Sequence, residues 1–242
     1  MVEQLLIKVD DYYIPDANLL ITEDDTPVDN FPSAKQQRLL ISSLYSSLEQ
    51  PFLAEANVGI YHTDGEPAIV PDVFISFDVQ VPEDWWQKQN RCYMAWKFGK
   101  SPELVMEIVS NKEGEELTKK FKIYERMKVN YYVIYDPNQQ LGEQILSIYQ
   151  LAGRHYIKTE ETWLEDIGLG INLWQGEFEG RHDTWLRWFH QDGTVVATGD
   201  ERADREKLEK EREKLEKEEA QRRAQLLAEK LRELGVDPDA IN

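Results

Sequence analysis

The chain has 242 residues, 41% hydrophobic and 11% aromatic, with 28 basic against 46 acidic side chains and a formal net charge of −18. At ~100–200 residues per domain that length gives one sizeable core plus an appendage, and no run of ~18 apolar residues offers a transmembrane helix. The single cysteine, Cys92, excludes an intramolecular disulfide or a zinc cluster. The acidic start MVEQLLIKVDDYY lacks a signal-peptide layout, so a cytoplasmic protein is expected.

The excess acid sits in the body. Residues 1–199 carry 17 basic and 32 acidic side chains, whereas residues 200–234 carry 11 and 12. A body that negative repels a phosphate backbone unless a local basic patch or bound cations intervene.

In chain order, residues 1–33 read as irregular or edge-like, ending in the polar TEDDTPVDNFPS. Ser33 is placed to cap a helix over AKQQRLLISSLYSSLEQ, with Leu40, Leu44, Tyr45 and Leu48 on one face and Pro51 beyond its end. Two β-like segments follow, AEANVGIYH and IVPDVFISFDV, separated by the turn residues TDGEP. The Trp-rich stretch from Pro82 to Lys100 reads as an excursion. Next come a strand LVMEIVS, a helix near EELTKKFKIYERMK and a strand NYYVIYDP, a strand–helix–strand unit ended by Asp136-Pro137. SIYQL and RHYIK, flanking Ala152-Gly153, predict an antiparallel hairpin. In the aromatic WLRWFHQDG, Trp185 and Trp188 are expected to pack rather than to stack on bases. From about residue 200 to Gly235 the pattern is one charged helix. Leu208 and Leu215 lie seven apart and Leu227, Leu231 and Leu234 resume the spacing, with Arg222 between. The readings are a solvated helix or a short coiled coil.

The strand PELVMEIVS carries Glu107 at the centre of an apolar run, and carboxylates are almost never fully buried without a partner. A second acid, Asp72, stands after Pro71 in another apolar strand. Two acids on neighbouring buried strands are mutually destabilising unless a positive group lies between them, and Mg²⁺, which takes oxygen ligands, fits that need. The competing reading makes Asp72 a turn cap and Glu107 half of a structural ion pair with an arginine. At ~100° per residue Leu117, Phe121 and Tyr124 form the apolar stripe of the following helix. Lys120 borders that inward face, whereas Lys119 and Lys122 point to solvent. Lys120 either snorkels or reaches the carboxylates. Asp72, Glu107 and Lys120 together suit phosphodiester hydrolysis, the acids holding the cation and the ammonium serving the water or the developing charge. The histidines show no metal-type spacing, and no glycine-rich phosphate loop, G-x-S-x-G elbow or CxxC occurs.

The order Pro71-Asp72, then Glu107-x-x-Ser110, then Lys120 four before Tyr124, then YYVIYDP, resembles the Uma-two family (DUF820-type) of restriction-endonuclease-like proteins, abundant in cyanobacteria and part of the PD-(D/E)XK nuclease superfamily. The likeness runs over roughly residues 20–200. It implies an α/β restriction-endonuclease-like core at 1–199, a mixed central sheet flanked by helices, followed by a charged C-terminal helix at 200–242. It implies Asp72, Glu107 and Lys120 as catalytic residues, with Lys120 moved onto the helix from the usual place that Val109 occupies. The metal ligands would be Asp72, Glu107 and the main-chain carbonyl of Ile108, for Mg²⁺ or in its place Mn²⁺; Ser110 and Gln37 would be neighbouring contacts. The expected function is a Mg²⁺-dependent endonuclease acting on DNA as a homodimer, partly through its C-terminal helix. The alternatives are an inactive nuclease-fold scaffold protein and a small phosphate-ester hydrolase.

Overall fold

A computed structural model describes the main chain of residues 7–9 and 12–14 and all atoms of residues 30–110 and 116–234. The chain divides into two compact units, Met1–Val196 and Ala197–Asn242.

In the first unit a small hairpin, β1 (Ile7–Val9) with β2 (Tyr12–Ile14), precedes α1 (Phe31–Ser47). Asn30 rather than Ser33 caps α1: its side chain accepts from the Ser33 N–H at 3.0 Å, and Pro32 fits the first turn, where no intrahelical donor is needed. The helix therefore starts three residues before the expected point, and Ser33 is buried inside it. It ends at Ser47, before Pro51. Leu39, Leu40 and Leu44 face the core, but Tyr45 is half exposed, lies against Phe52 and accepts the Ala54 N–H.

The central sheet has six strands in the order β10-β9-β8-β7-β5-β3. These are β3 (Phe52–Glu55), β5 (Val73–Phe77), β7 (Leu104–Ile108), β8 (Tyr131–Tyr135), β9 (Leu146–Ala152) and β10 (His155–Thr159). All neighbours are antiparallel except β7 and β8, which are parallel and need the crossover that the sequence supplies between them. The predicted β9–β10 hairpin forms with Gly153 in the left-handed region at φ 67, a backbone state glycine adopts without steric cost.

Because β5, β7 and β8 are covered on both faces, they read as continuous apolar runs. Their alternation still sorts two cores. Val73, Ile75, Leu104, Met106, Ile108 and Val133 meet Leu40 and Leu44 of α1 and the three-stranded sheet β11 (Trp163–Leu164), β12 (Leu169–Phe178), β13 (Arg181–Phe189). Gln36 of α1 imitates a strand there, donating to the Leu186 carbonyl at 2.8 Å and accepting its N–H at 3.0 Å. Trp188 is fully buried and donates to the Leu40 carbonyl, and Trp185 is buried against Phe178; both pack, as expected.

Phe74, Val105, Val109, Tyr132 and Ile134 point the other way, onto the crossover helix α3 (Phe121–Met127). The Pro82–Lys100 excursion packs on that face too, through Tyr93 and Phe98; it carries β6 (Tyr93–Met94), which pairs with β4 (Ile60–Tyr61), and the short α2 (Ala95–Phe98).

In the second unit α4 (Gly199–Glu233) starts with a capping box. Thr198 accepts the Glu201 N–H, and the Glu201 carboxylate accepts the Thr198 N–H at 2.8 Å. No α4 residue is buried, and Leu208, Leu215, Leu226 and Leu227 are exposed. Gly235 lies outside the described residues. No described helix is long and apolar enough to cross a membrane.

Candidate active site

The site begins where the β5–β7 ladder stops. Pairing runs Ile75 with Leu104, Phe74 with Val105 and Val73 with Met106. Continuing that register sets Asp72 beside Glu107 and Pro71 beside Ile108. A proline has no N–H to give to the Ile108 carbonyl, and the Ile108 N–H goes to the Asp72 side chain, whose Oδ2 accepts it at 2.6 Å. A residue's N–H and C=O point to the same edge of a strand, so the Ile108 carbonyl is directed toward Asp72 as well. Val109, the next residue, turns to the opposite edge and donates to Tyr135 at 2.8 Å.

Glu107 is 1% exposed. Both of its oxygens accept: Oε2 from the Lys120 ammonium at 2.7 Å and Oε1 from the Tyr124 hydroxyl at 2.7 Å. The competing arginine pair is thus replaced by a lysine–tyrosine clamp, and Lys120 reaches the carboxylates rather than snorkelling. Asp72 is fixed from the far side, where Gln37 on α1 donates to its Oδ1 at 3.2 Å. Gln37 is held in turn by Asn57, whose amide donates to the Gln37 side-chain oxygen at 3.2 Å.

The crossover reaches Lys120 through a π-helical turn, Glu116–Lys120, before α3 starts. A π turn is wider than an α turn and is common at functional sites. Its phase differs from the ~100° spacing assumed from sequence, so Glu116 turns inward and Leu117, expected in the apolar stripe, is 45% exposed. Tyr124 is buried, and Lys119 and Lys122 face solvent, as expected. The Glu116 side chain is buried with its Oε2 lacking a hydrogen bond among the described residues, and Tyr132 donates to its main-chain carbonyl at 2.9 Å.

These contacts set the electrostatics. Burial pushes Glu107 up from its ordinary 4.5 to about 8; Lys120 opposes the rise, and Asp72 adds to it by like-charge repulsion. Burial also works against the Lys120 ammonium, but Glu107, Asp72 and Glu116 together outweigh it and hold Lys120 above its ordinary value. Tyr124 is raised strongly by burial and then by Glu107, so it stays a neutral donor.

Beside the carboxyl ends of β7 and β8 lies a groove of about 800 Å³, with Ile108, Ser110 and Tyr135 on one wall and Lys35 and Arg181 on the other. Its two cations are matched by acids: Lys35 meets Glu179 at 2.5 Å and Arg181 meets Asp183 at 3.1 Å. Ser110 borders this groove, and Gln37 contacts Asp72 directly.

The residues singled out from sequence thus converge: Asp72, Glu107, Ile108, Lys120 and Gln37 lie at one end of the sheet. Sequence reasoning missed the roles of Asn57, Glu116 and Tyr124. Tyr124 was legible, since a residue four after Lys120 shares its helix face; Asn57 carried no comparable signal.

A six-stranded mixed sheet flanked by helices, with paired acids at a strand end and a lysine on the crossover, defines a restriction-endonuclease-like α/β protein. The chain belongs to the Uma2 family, described as "Putative restriction endonuclease", whose profile matches residues 8–169. No curated protein matches it.

Proposed function

We propose that the protein is a Mg²⁺-dependent endonuclease that hydrolyses phosphodiester bonds in DNA. The single observation that carries this reading is the joint placement of Asp72, the Glu107–Lys120 pair and the Ile108 main chain at one strand end.

The donors fit a hard cation. Two carboxylates and a carbonyl are all oxygen, and the carboxylate oxygens that already accept a hydrogen bond keep a second lone pair. Mg²⁺ is commonly held by one or two carboxylates while keeping several waters. Among the described residues no group of three or more His, Cys, Asp or Glu forms a fuller cage. Pro71 also has a reason here, since it cannot donate to the Ile108 carbonyl and leaves that oxygen to the site. Mn²⁺ would suit the same donors.

Asp72, Glu107 and the Ile108 carbonyl would hold the ion, which when bound polarises the phosphate and lowers the pKa of its water. Gln37 orients Asp72, and Tyr124 fixes Glu107. Lys120, held as an ammonium, donates to the phosphate oxygens as charge develops rather than acting as a base. The cation, not the acidic surface, would meet the phosphate, since the groove's own lysine and arginine are already paired. Exposed leucines on α4 support a homodimer in which two sites address two strands.

Calorimetric titration of Mg²⁺ and Mn²⁺ tests the centre: saturable binding to the wild type, lost in Glu107→Gln, is expected. Absence of binding with and without a DNA duplex would sink the proposal. One observation favours a second reading, a scaffold built on the same fold: the body's acidity with its matched groove cations. Metal-dependent cleavage lost in Lys120→Ala excludes the scaffold. A steep fall of binding with salt excludes a small-ester hydrolase.

A further inference from the structure

The same sheet face carries a second concavity that the hydrolytic site does not use. It is a cavity of about 530 Å³, within the ~300–1,000 Å³ of small-ligand pockets. Its floor is Leu53 on β3, Phe74 on β5 and the stacked pair Tyr93–Phe98, whose rings lie 4.4 Å apart at 11°. Its rim is Trp85 and Trp86, two neighbouring indoles left 56% and 79% exposed. Its polar lining is Glu55 on β3, opposite Phe74 in the β3–β5 register, with Asn90 and Arg91 of the excursion, which donate to the Asp84 side chain and to the Trp86 carbonyl.

Two features set this pocket apart from ordinary packing. Large aromatic rings at a rim, unburied in a chain that has a full core, leave flat π-faces free to stack. The Glu55 carboxylate is half-buried yet makes no hydrogen bond or ion pair among the described residues. Burial alone raises its pKa, and a desolvated acceptor of this kind is satisfied by a donor brought in with a ligand. The pocket also adjoins the hydrolytic site: Phe74 lies two residues along β5 from Asp72, on the same face of the sheet.

We propose that this cavity is a base pocket, taking one unpaired guanine of the strand that is cut, stacked on the Trp85–Trp86 rim with its N1–H and N2–H groups donated to Glu55. An aromatic rim and the single acid of the lining suit a flat ring with a donor edge; a phosphate there would face Glu55, while the one lining cation, Arg91, is already held by the Trp86 carbonyl. Among the common bases guanine alone places two parallel N–H donors on its Watson–Crick edge. Thymine flanks its one N–H with carbonyls, and cytosine and adenine set a ring acceptor beside the amine. Reading a base by its Watson–Crick edge between aromatic rings is how extruded or single-stranded bases are held, and every base offers a π-face to stack on. The assignment deepens the nuclease reading of the neighbouring site and rests on it for the strand as the source of the base.

Fluorescence anisotropy of dye-labelled hexanucleotides, without divalent cation but at ~0.15 M monovalent salt to screen the acidic body, tests it on the full chain. A hexamer with a central guanine should bind at least tenfold tighter than an all-thymine hexamer. Trp85→Ala, at an exposed position, should weaken the guanine hexamer about tenfold. Glu55→Gln should abolish the preference for guanine while leaving the thymine hexamer unchanged. Equal affinity for the two hexamers, or a preference that survives Glu55→Gln, overturns the pocket. Guanosine binding as tightly as the hexamer would reassign it to a free nucleoside and overturn the strand. Cleavage and metal binding are not read, so failure of the hydrolytic centre leaves this result standing, and the converse holds too.

Discussion

The two faces of the central sheet are built from alternate residues of the same strands and do different work. On one, Met106, Ile75 and Val133 meet aliphatic side chains of α1 and the aromatic Trp188. On the other, Glu107 lies one residue from Met106 and meets Lys120 and Tyr124, whose ring packs against Tyr132. The first face, aliphatic apart from Phe77, Tyr131, Tyr135 and Trp188, gains from close packing. On the other face the Tyr124 hydroxyl satisfies the buried Glu107 carboxylate, while those of Tyr132 and Tyr156 donate to main-chain carbonyls. One face holds the fold, and the other spends part of that stability on keeping acids out of water.

The sharpest break of this comparison is activity. On the proposed function, Glu107→Gln and Asp72→Asn should each lower Mg²⁺-dependent cleavage of a duplex at least ~100-fold, measured as initial rates, while both variants fold. Met106→Ala should do the reverse, leaving the site's chemistry in place and costing ~2–5 kcal/mol of stability by transfer and cavity terms, read from denaturant midpoints.

Next in size is the pH response. Between 4.5 and about 8 folded Glu107 keeps a proton that the unfolded chain has released. The metal-free protein should therefore lose stability as pH rises through that window, by a few kcal/mol. Glu107→Gln should flatten this slope, and added Mg²⁺ should restore stability at pH 8. Chemical denaturation at pH 5 and pH 8 in a chelator reads it; equal slopes in both proteins would contradict the electrostatic account. Tyr124→Phe should remove ~1–2 kcal/mol through the lost hydroxyl donor and push Glu107 higher still. Smallest for the fold is Leu208→Asp with Leu215→Asp on α4. Neither side chain is buried in the protomer, so stability of the body should be unchanged. Light scattering should show monomers if α4 carries the dimer.

Much of this was legible without coordinates. An apolar run interrupted by Glu107, and an acid after Pro71 in a second such run, are visible because strands covered on both faces leave almost no room for charge. The β9–β10 hairpin followed from turn chemistry at Gly153, and α4 from its composition. Helix phase was less secure. Tyr45 and Leu117 were assigned to buried faces from ideal spacing, and both are exposed because the partner surface, and at Leu117 a π turn, set the rotation.

The sequence by itself determined which residues are costly to bury, since that cost follows from side-chain chemistry alone, and so it named Asp72, Glu107 and Lys120. Tertiary structure decided who satisfies them. Asn57, Gln37 and the crossover that carries both Glu116 and Tyr124 are three separate segments, and the pairing of Trp85 and Trp86 with Glu55 depends on an excursion folding back onto β3. Long-range register, fixed by the β5–β7 pairing, brings such groups within hydrogen-bond distance, and no local pattern encodes it.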